Sequence, residues 1–300
     1  MLNLHSQFKS AVNAWKEWFS CSDPECNGQR RVWGRVSKGA GSVRVHGRRF
    51  CFPFCFEQEL HRRFELRAPS SRRSRAPHRV PLGLLMLSRG ELSHEQLRRA
   101  LEAQRQSASG RIGEWIKKLG YAREQQITAA LAAQWSCPVL RKLPATPAEC
   151  AVPFRLLRRF QMAPVYYSRP ARVLHLAFAA DIEYRALLAI EEILQCKAEP
   201  CMADATSLNS MLAQIEERGR GTDQLLENVR GPEEMTRITS GYAAKLGAAD
   251  VRVAGCGEYI WVRMQGRKDA SNLLFTERTS EAAQSLHRRS QAMIVPAMPA

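Results

Sequence analysis

The sequence predicts an α+β protein: a tandem helical-pair repeat, a small α/β subdomain after it, and a Cys-rich zinc-ribbon-like unit before it. Three observations predict this. A stretch of 24 residues recurs at an offset of 30 in the middle of the chain. Past it, short strand-like apolar runs alternate with helical ones. Two cysteine pairs flank a Gly- and Val-rich segment near the start of the sequence.

Composition sets the frame for these elements. With 45% hydrophobic and 25% charged residues in a chain of 300, there is material for cores in two or three small units. No run approaches the ~18 apolar residues of a transmembrane helix, and the first twenty residues lack a signal peptide's apolar region and cleavage site. A cytoplasmic location without a transmembrane segment is expected. The net charge of +16 is concentrated: residues 1–80 hold 16 Lys or Arg against 6 Asp or Glu. Such a bias suits an anionic partner or a solvated basic arm, without specificity. Nine cysteines in a cytoplasmic chain are expected to stay reduced. Cys137, Cys150, Cys196, Cys201 and Cys256 lack tight spacing and read as structural thiols.

In chain order, Leu4, Phe8, Val12, Trp15 and Phe19 recur at spacings of three and four and predict an amphipathic helix over 2–19, packed on its own protein, a partner or a membrane. Cys21-x4-Cys26 and Cys51-x3-Cys55 follow. Between them, Val32–Val36 and Val43–His46 read as strands joined by the Gly39-Ala40-Gly41 turn. So short a segment lacks an adequate core, and four thiolates on zinc would supply folding energy; the alternative is unliganded thiols. His46 and His61 are substitute ligands. This makes residues 1–66 a helix plus a four-cysteine zinc-binding unit with Cys21, Cys26, Cys51 and Cys55 as its metal set. Residues 67–80, with five arginines and almost no apolar content, read as a basic linker. A nucleic-acid-binding arm is the weaker reading, because no aromatics interleave for stacking.

The duplicated motif spans 81–140. Aligning 81–104 with 111–134 gives seven identities: Gly83/Gly113, Gly90/Gly120, Gln96/Gln126, Ala100/Ala130, Leu101/Leu131, Ala103/Ala133 and Gln104/Gln134. Each copy reads as a short helix ended by a left-handed Gly (Gly90 or Gly120) and then a second helix. Ser93 and Gln96 have capping-box spacing, which Arg123 breaks in the second copy. Leu97, Leu101, Ile127 and Leu131 are the expected buried stripe. Residues 141–218 then alternate: helix 153–160, strands 163–167 and 173–179, helix 182–195, strand 197–203, helix 207–216. A linker over 219–231, a helix-plus-hairpin segment within 230–276 and a polar tail over 277–300 complete the reading.

The doubled motif resembles the N-terminal, cyclic-di-GMP-binding (MshEN-like) domain of the type II secretion and type IV pilus assembly ATPases, the GspE/PilB family. Arg111-Ile112-Gly113, Gly120, Ile127, Leu131 and Gln134 match that family's motif nearly throughout, and the likeness extends over roughly residues 79–265. The resemblance implies cyclic di-GMP as ligand, whose two guanylate halves two similar half-sites could each hold. It assigns Arg111, Ile112, Gly113 and Gln134 to one half and Leu82, Gly83 and Gln104 to the other. It also places Asp181, at the end of a strand, near the nucleotide; on the residues alone Asp181 reads as the cap of the next helix. The first copy departs from the family: Pro81 stands where the motif has Arg. Glu91 and Lys117 stand where it has aliphatic residues.

No Gly-x4-Gly-Lys-Ser/Thr occurs anywhere in the sequence, so ATP hydrolysis by the family's mechanism is excluded. No catalytic constellation is seen either. The expectation is a noncatalytic regulator or adaptor, with zinc and cyclic di-GMP as its cofactor and ligand and secretion or pilus assembly proteins as partners. The competing readings are a docking module that uses no nucleotide and nucleic-acid binding through the basic N-terminal region.

Overall fold

The computed structural model describes residues 21–26, 42–67, 79–218 and 223–277. The expected amphipathic helix over 2–19, the strand at 32–36 with its glycine turn, most of the basic linker and the tail from 278 lie outside the described residues. The chain divides into two compact units, Met1–Ser70 with Thr222–Ala300 as one and Ser71–Gly221 as the other.

The discontinuous unit begins with a hairpin, β1 (Ser42–Val45) and β2 (Arg48–Cys51), followed by α1 (Phe54–Arg67). His46 and Gly47 turn the hairpin with φ of 49° and 80°. Two successive left-handed residues make the tight turn whose twist matches that of paired strands.

The central unit opens with the repeat, as α2 (Leu82–Ser88), α3 (His94–Ser107), α4 (Ile112–Lys118) and α5 (Glu124–Trp135). Gly90 and Gly120 take φ of 70° and 72°. In both copies the amide beyond the glycine returns to the same turn: Glu91 N–H donates to Met86 O at 2.9 Å, and Tyr121 N–H to Ile116 O at 3.0 Å. This helix stop satisfies carbonyls that the short helices would leave unpaired. Ser93 and Gln96 form the full capping box on α3; on α5 only the Arg123 N–H to Gln126 Oε1 half remains, at 2.8 Å. The core of the bundle repeats as the sequence does, with Met86 and Ile116, Leu92 and Ala122, and Ala100 and Ala130 all buried. Leu101 and Leu131 of the expected stripe are only half-buried, because the tight face is the one carrying Ala100 and Ala130.

After the repeat come α6 (Phe154–Arg159), β3 (Met162–Ser168), β4 (Val173–Phe178), α7 (Tyr184–Leu194), β5 (Lys197–Met202) and α8 (Ala205–Arg218). Every element expected over 141–218 is present. Its sheet has the order β3-β4-β5, antiparallel then parallel, with α7 as the crossover between the parallel pair.

The chain then returns to the first unit with β6 (Asp223–Val229), α9 (Pro232–Leu246), β7 (Asp250–Cys256), β8 (Tyr259–Gln265) and β9 (Ala270–Glu277). One sheet of order β2-β1-β7-β8-β9-β6 joins both ends of the sequence, and β1 pairs parallel with β7 through Arg44/Asp250 and Val45/Val251. The sequence reading of 1–66 and 230–276 as separate pieces is therefore corrected. Their apolar faces are one core: Val43, Phe50, Phe56, Leu60 and Phe64 from the first segment meet Met235, Val251, Val262, Leu273 and Phe275 from the second. The linker expected over 219–231 contains β6, and the segment ending near 276 carries β9 as a further strand. Both were masked by polar residues. Asn272, buried in β9, accepts from Trp261 Nε1 at 3.0 Å and donates to Asp223 Oδ1 at 2.9 Å, so a strand with a polar start is satisfied in the interior. Among the described residues no helix is long and apolar enough to cross a membrane.

Candidate functional site

Within the central unit, the repeat's glycines let its helices approach. A Cβ on Gly83 would lie 2.5 Å from Leu97 Cδ1. One on Gly113 would lie 3.2 Å from Ile127 Cγ2 and 3.3 Å from Leu82 Cδ2. Gly83/Leu97 and Gly113/Ile127 are the same contact, thirty residues apart. The two terminal glutamines are equivalent in the same way. Gln104 Nε2 donates to Gly110 O at 2.9 Å, and Gln134 Nε2 donates to Val80 O at 2.6 Å. Each copy's glutamine thus holds the residue just before the other copy's motif, a reciprocal clasp that gives the module a two-fold character.

A cavity of about 720 Å³ opens along this clasp. That is within the ordinary range for a small-molecule site. Leu82, Gln104, Arg111, Ile112, Gly113, Gln134 and Asp181 line it, which is seven of the eight residues that the resemblance assigns to a ligand. The eighth, Gly83, is not in the lining; it is buried under Leu97, and its role is helix packing. Glu114, Lys117, Glu124, Leu131, Gln161 and Asn209 also contribute to the wall. The sequence reading did not place this second group in a site; Glu114, Lys117, Glu124 and Leu131 lie within the second copy, whereas Gln161 and Asn209 enter from far along the chain and carry no motif.

Arg111 sits at the N-cap of α4 in extended conformation and reaches across the cavity, where its guanidinium meets Asp181 Oδ2 at 3.2 Å. Both side chains are exposed. Asp181 does not cap α7: that position belongs to Glu183, whose carboxylate accepts from the Arg185 N–H at 3.2 Å. The carboxylate of Asp181 is therefore left facing the arginine. Opposite, Pro81 supplies no side-chain donor, and Arg79 does not substitute for one. Its guanidinium carbon stacks 3.3 Å from the centre of the Trp135 ring.

Lys117 makes a second ion pair in the cavity wall, with Glu124 at 3.2 Å. Glu124 also accepts from the Thr206 hydroxyl at 2.9 Å and the Thr206 amide at 3.3 Å, bridging the start of α5 to that of α8. Burial pushes the Glu124 carboxyl up, but the hydrogen bonds from Thr206 and Lys117 and the lysine charge outweigh it and leave the group below its ordinary range. Both cations of the cavity are thus already matched by carboxylates. Glu91, the other departure in the repeat, buries one carboxylate oxygen that has no hydrogen-bond partner in the structure.

In the discontinuous unit, Cys21, Cys26, Cys51 and Cys55 form a cluster whose sulfurs all lie within 4.8 Å of one another. The end of β2 supplies Cys51, the first turn of α1 supplies Cys55, and the turn at 21–26 brings the other two. Burial first, then the neighbouring thiols, pushes Cys51 up to about 12; burial, then a hydrogen bond with Asp23 and the neighbouring thiols, pushes Cys55 up as well. Such crowding disfavours thiolates unless a cation joins them. The two histidines expected as substitute ligands are elsewhere: His46 Nε2 accepts from the Val253 N–H at 2.9 Å, and His61 faces Glu65 at 3.8 Å.

No family model and no curated protein matches this chain. Solved structures resemble it over part of its length. A structure of MshE with cdg, cyclic di-GMP, is similar at 26% identity and a TM-score of 0.39, over 45% of this chain and 99% of that one. The N-terminal domain of XpsE is similar at 20% identity and a TM-score of 0.36, over 46% of this chain and 98% of that one. In a second crystal form the same domain gives 21% identity and a TM-score of 0.28. The α+β fold of this chain rests on its own elements, with a three-stranded and a six-stranded sheet. What its cavity can hold follows from the residues that line it.

Proposed function

We propose that the cavity of the central unit binds cyclic di-GMP and that the chain is a noncatalytic regulator or adaptor responding to that nucleotide in a type II secretion or type IV pilus-like system. The observation that carries this reading is the convergence on one cavity of Leu82 and Gln104 from the first copy, Arg111, Ile112, Gly113 and Gln134 from the second, and Asp181 from beyond the repeat. Leu82, Ile112 and Leu131 offer apolar surface to a purine. Arg111 offers a guanidinium that can fork onto a guanine edge or a phosphate. Asp181, held against it, is the group the nucleotide must displace or share, so the ligand gains only the difference between its own contacts and that ion pair.

Calorimetric titration of the full chain with cyclic di-GMP tests the reading. The expected result is saturable binding that Arg111→Ala weakens by about tenfold or more, the scale of one charged hydrogen bond. The melting temperature without ligand should stay unchanged, because Arg111 is exposed. Absence of heat at high micromolar nucleotide, from a chain shown to be folded, would reject it.

A further inference from the structure

We infer that Cys21, Cys26, Cys51 and Cys55 hold one tetrahedral zinc ion, and that its role is to fasten the 21–26 turn to the hairpin and helix that complete the sheet of the discontinuous unit.

Geometry is the first support. A Zn–S bond of about 2.3 Å sets the edge of a regular tetrahedron at about 3.8 Å. The Cys26 and Cys51 sulfurs are 3.8 Å apart, and no pair in the cluster exceeds 4.8 Å. None of the four is in a disulfide.

The backbone around the sulfurs is the second support. Ser22 N–H donates to Arg49 O at 2.7 Å, which docks the first turn on β2. Asp23 organises the turn itself, its carboxylate accepting from the Glu25 N–H at 3.0 Å and its carbonyl from the Cys26 N–H at 3.2 Å. Cys51 N–H points at the Cys21 sulfur at 3.4 Å. An amide donated to a sulfur is the outer-shell contact that lowers the charge a thiolate presents and fixes its direction.

The ligand set chooses the ion and the role. Four sulfurs favour a soft tetrahedral metal over magnesium, calcium or manganese. They also leave no coordination position for water or substrate, which is the signature of a structural site. Cys21 and Cys55 are buried beside Phe50 and Phe56, so the ion would lie at the margin of the shared core. That core spans both segments of the chain, and the ion fixes the corner of it that is remotest in sequence from the C-terminal strands.

The experiment is elemental analysis of the full chain after dialysis against a weak chelator, followed by cobalt substitution. One zinc per chain is expected, together with the intense visible and near-ultraviolet bands of a tetrahedral cobalt tetrathiolate. Cys51→Ser, at the exposed corner of the cluster, should lower zinc retention by at least about tenfold relative to the parent. Cys137→Ser, outside the cluster, should retain a full complement. A folded parent chain that carries no zinc and takes up none overturns the inference, and so does an octahedral cobalt spectrum. Because the parent measurement needs no variant, a Cys51→Ser chain that fails to fold leaves the test decisive.

Discussion

The two copies of the repeat share a scaffold and differ in chemistry. Met86 and Ile116 fill the same place in the core, Gly83 and Gly113 admit the same neighbouring helix, and Gln104 and Gln134 clasp reciprocally. Yet Arg111 stands in the cavity wall, whereas Pro81, at the equivalent position of the first copy, does not line it. Packing and helix stops depend only on volume and backbone conformation, so they persist in both copies. A ligand-facing side chain carries no folding role and is free to differ. The repeat therefore reports the fold, and the Arg111/Pro81 pair is where its two copies part chemically.

The largest way to break the shared scaffold is to hollow it. Met86→Ala and Ile116→Ala each remove a fully buried side chain, and each should cost about 2–5 kcal/mol in chemical denaturation. Similar values for both would confirm equivalent scaffolds; a negligible cost in one copy would show that the duplication is not symmetric in energy. Gly83→Val comes next. Its branches must enter space held by Leu97, and overpacking of this kind costs about 1–3 kcal/mol.

Pro81→Arg sharpens the chemical half of the comparison. Pro81 and Arg111 both have extended backbones, with ψ of 140° and 152°, so arginine fits without rearrangement. On the proposed function, this substitution should tighten cyclic di-GMP binding by about tenfold while Arg111→Ala weakens it. Unchanged affinity on calorimetry would mean that the first half-site is closed for another reason. Gln134→Ala removes one exposed hydrogen bond to Val80 O and should lower stability by at most about 1 kcal/mol, with Gln104→Ala alike.

The smallest effect is that of acid. The Glu124 carboxyl is held below its ordinary value of 4.5, so its bonds to Thr206 and Lys117 contribute stability above that pH. The contribution is lost as the pH falls through the lowered folded value. Glu124→Gln should flatten the fall in melting temperature below about pH 4.5. An unaltered pH profile would remove Glu124 as the cause.

Much of this was legible in the sequence because the signals are local. Gly90 and Gly120 announce their own dihedrals, Ser93 and Gln96 their own cap, and the strand and helix periods over 141–218 need no distant partner. Six of the residues that the resemblance assigns to a ligand line one cavity because they belong to the repeated motif, and Asp181 joins them from beyond it. Non-local facts were not legible. Nothing near Asp223 or Asn272 signals that they bond to each other, and β6 and β9 went unread for that reason. Nor does any spacing reveal that Arg44 lies beside Asp250, or that Glu124 meets Thr206. Asp181 had two readings from sequence; the cap fell to Glu183, a carboxylate two residues on, which no local rule distinguishes from it.

The parallel pairing of β1 with β7 has a consequence for synthesis. When residue 67 has been made, α1 has an apolar face of Phe56, Leu60 and Phe64 whose partners Val262, Leu273 and Phe275 lie about two hundred residues downstream. The whole central unit is translated in that interval, and it can fold first because domains form as they emerge. The opening segment must wait for its sheet, and all four clustered cysteines belong to the part that waits.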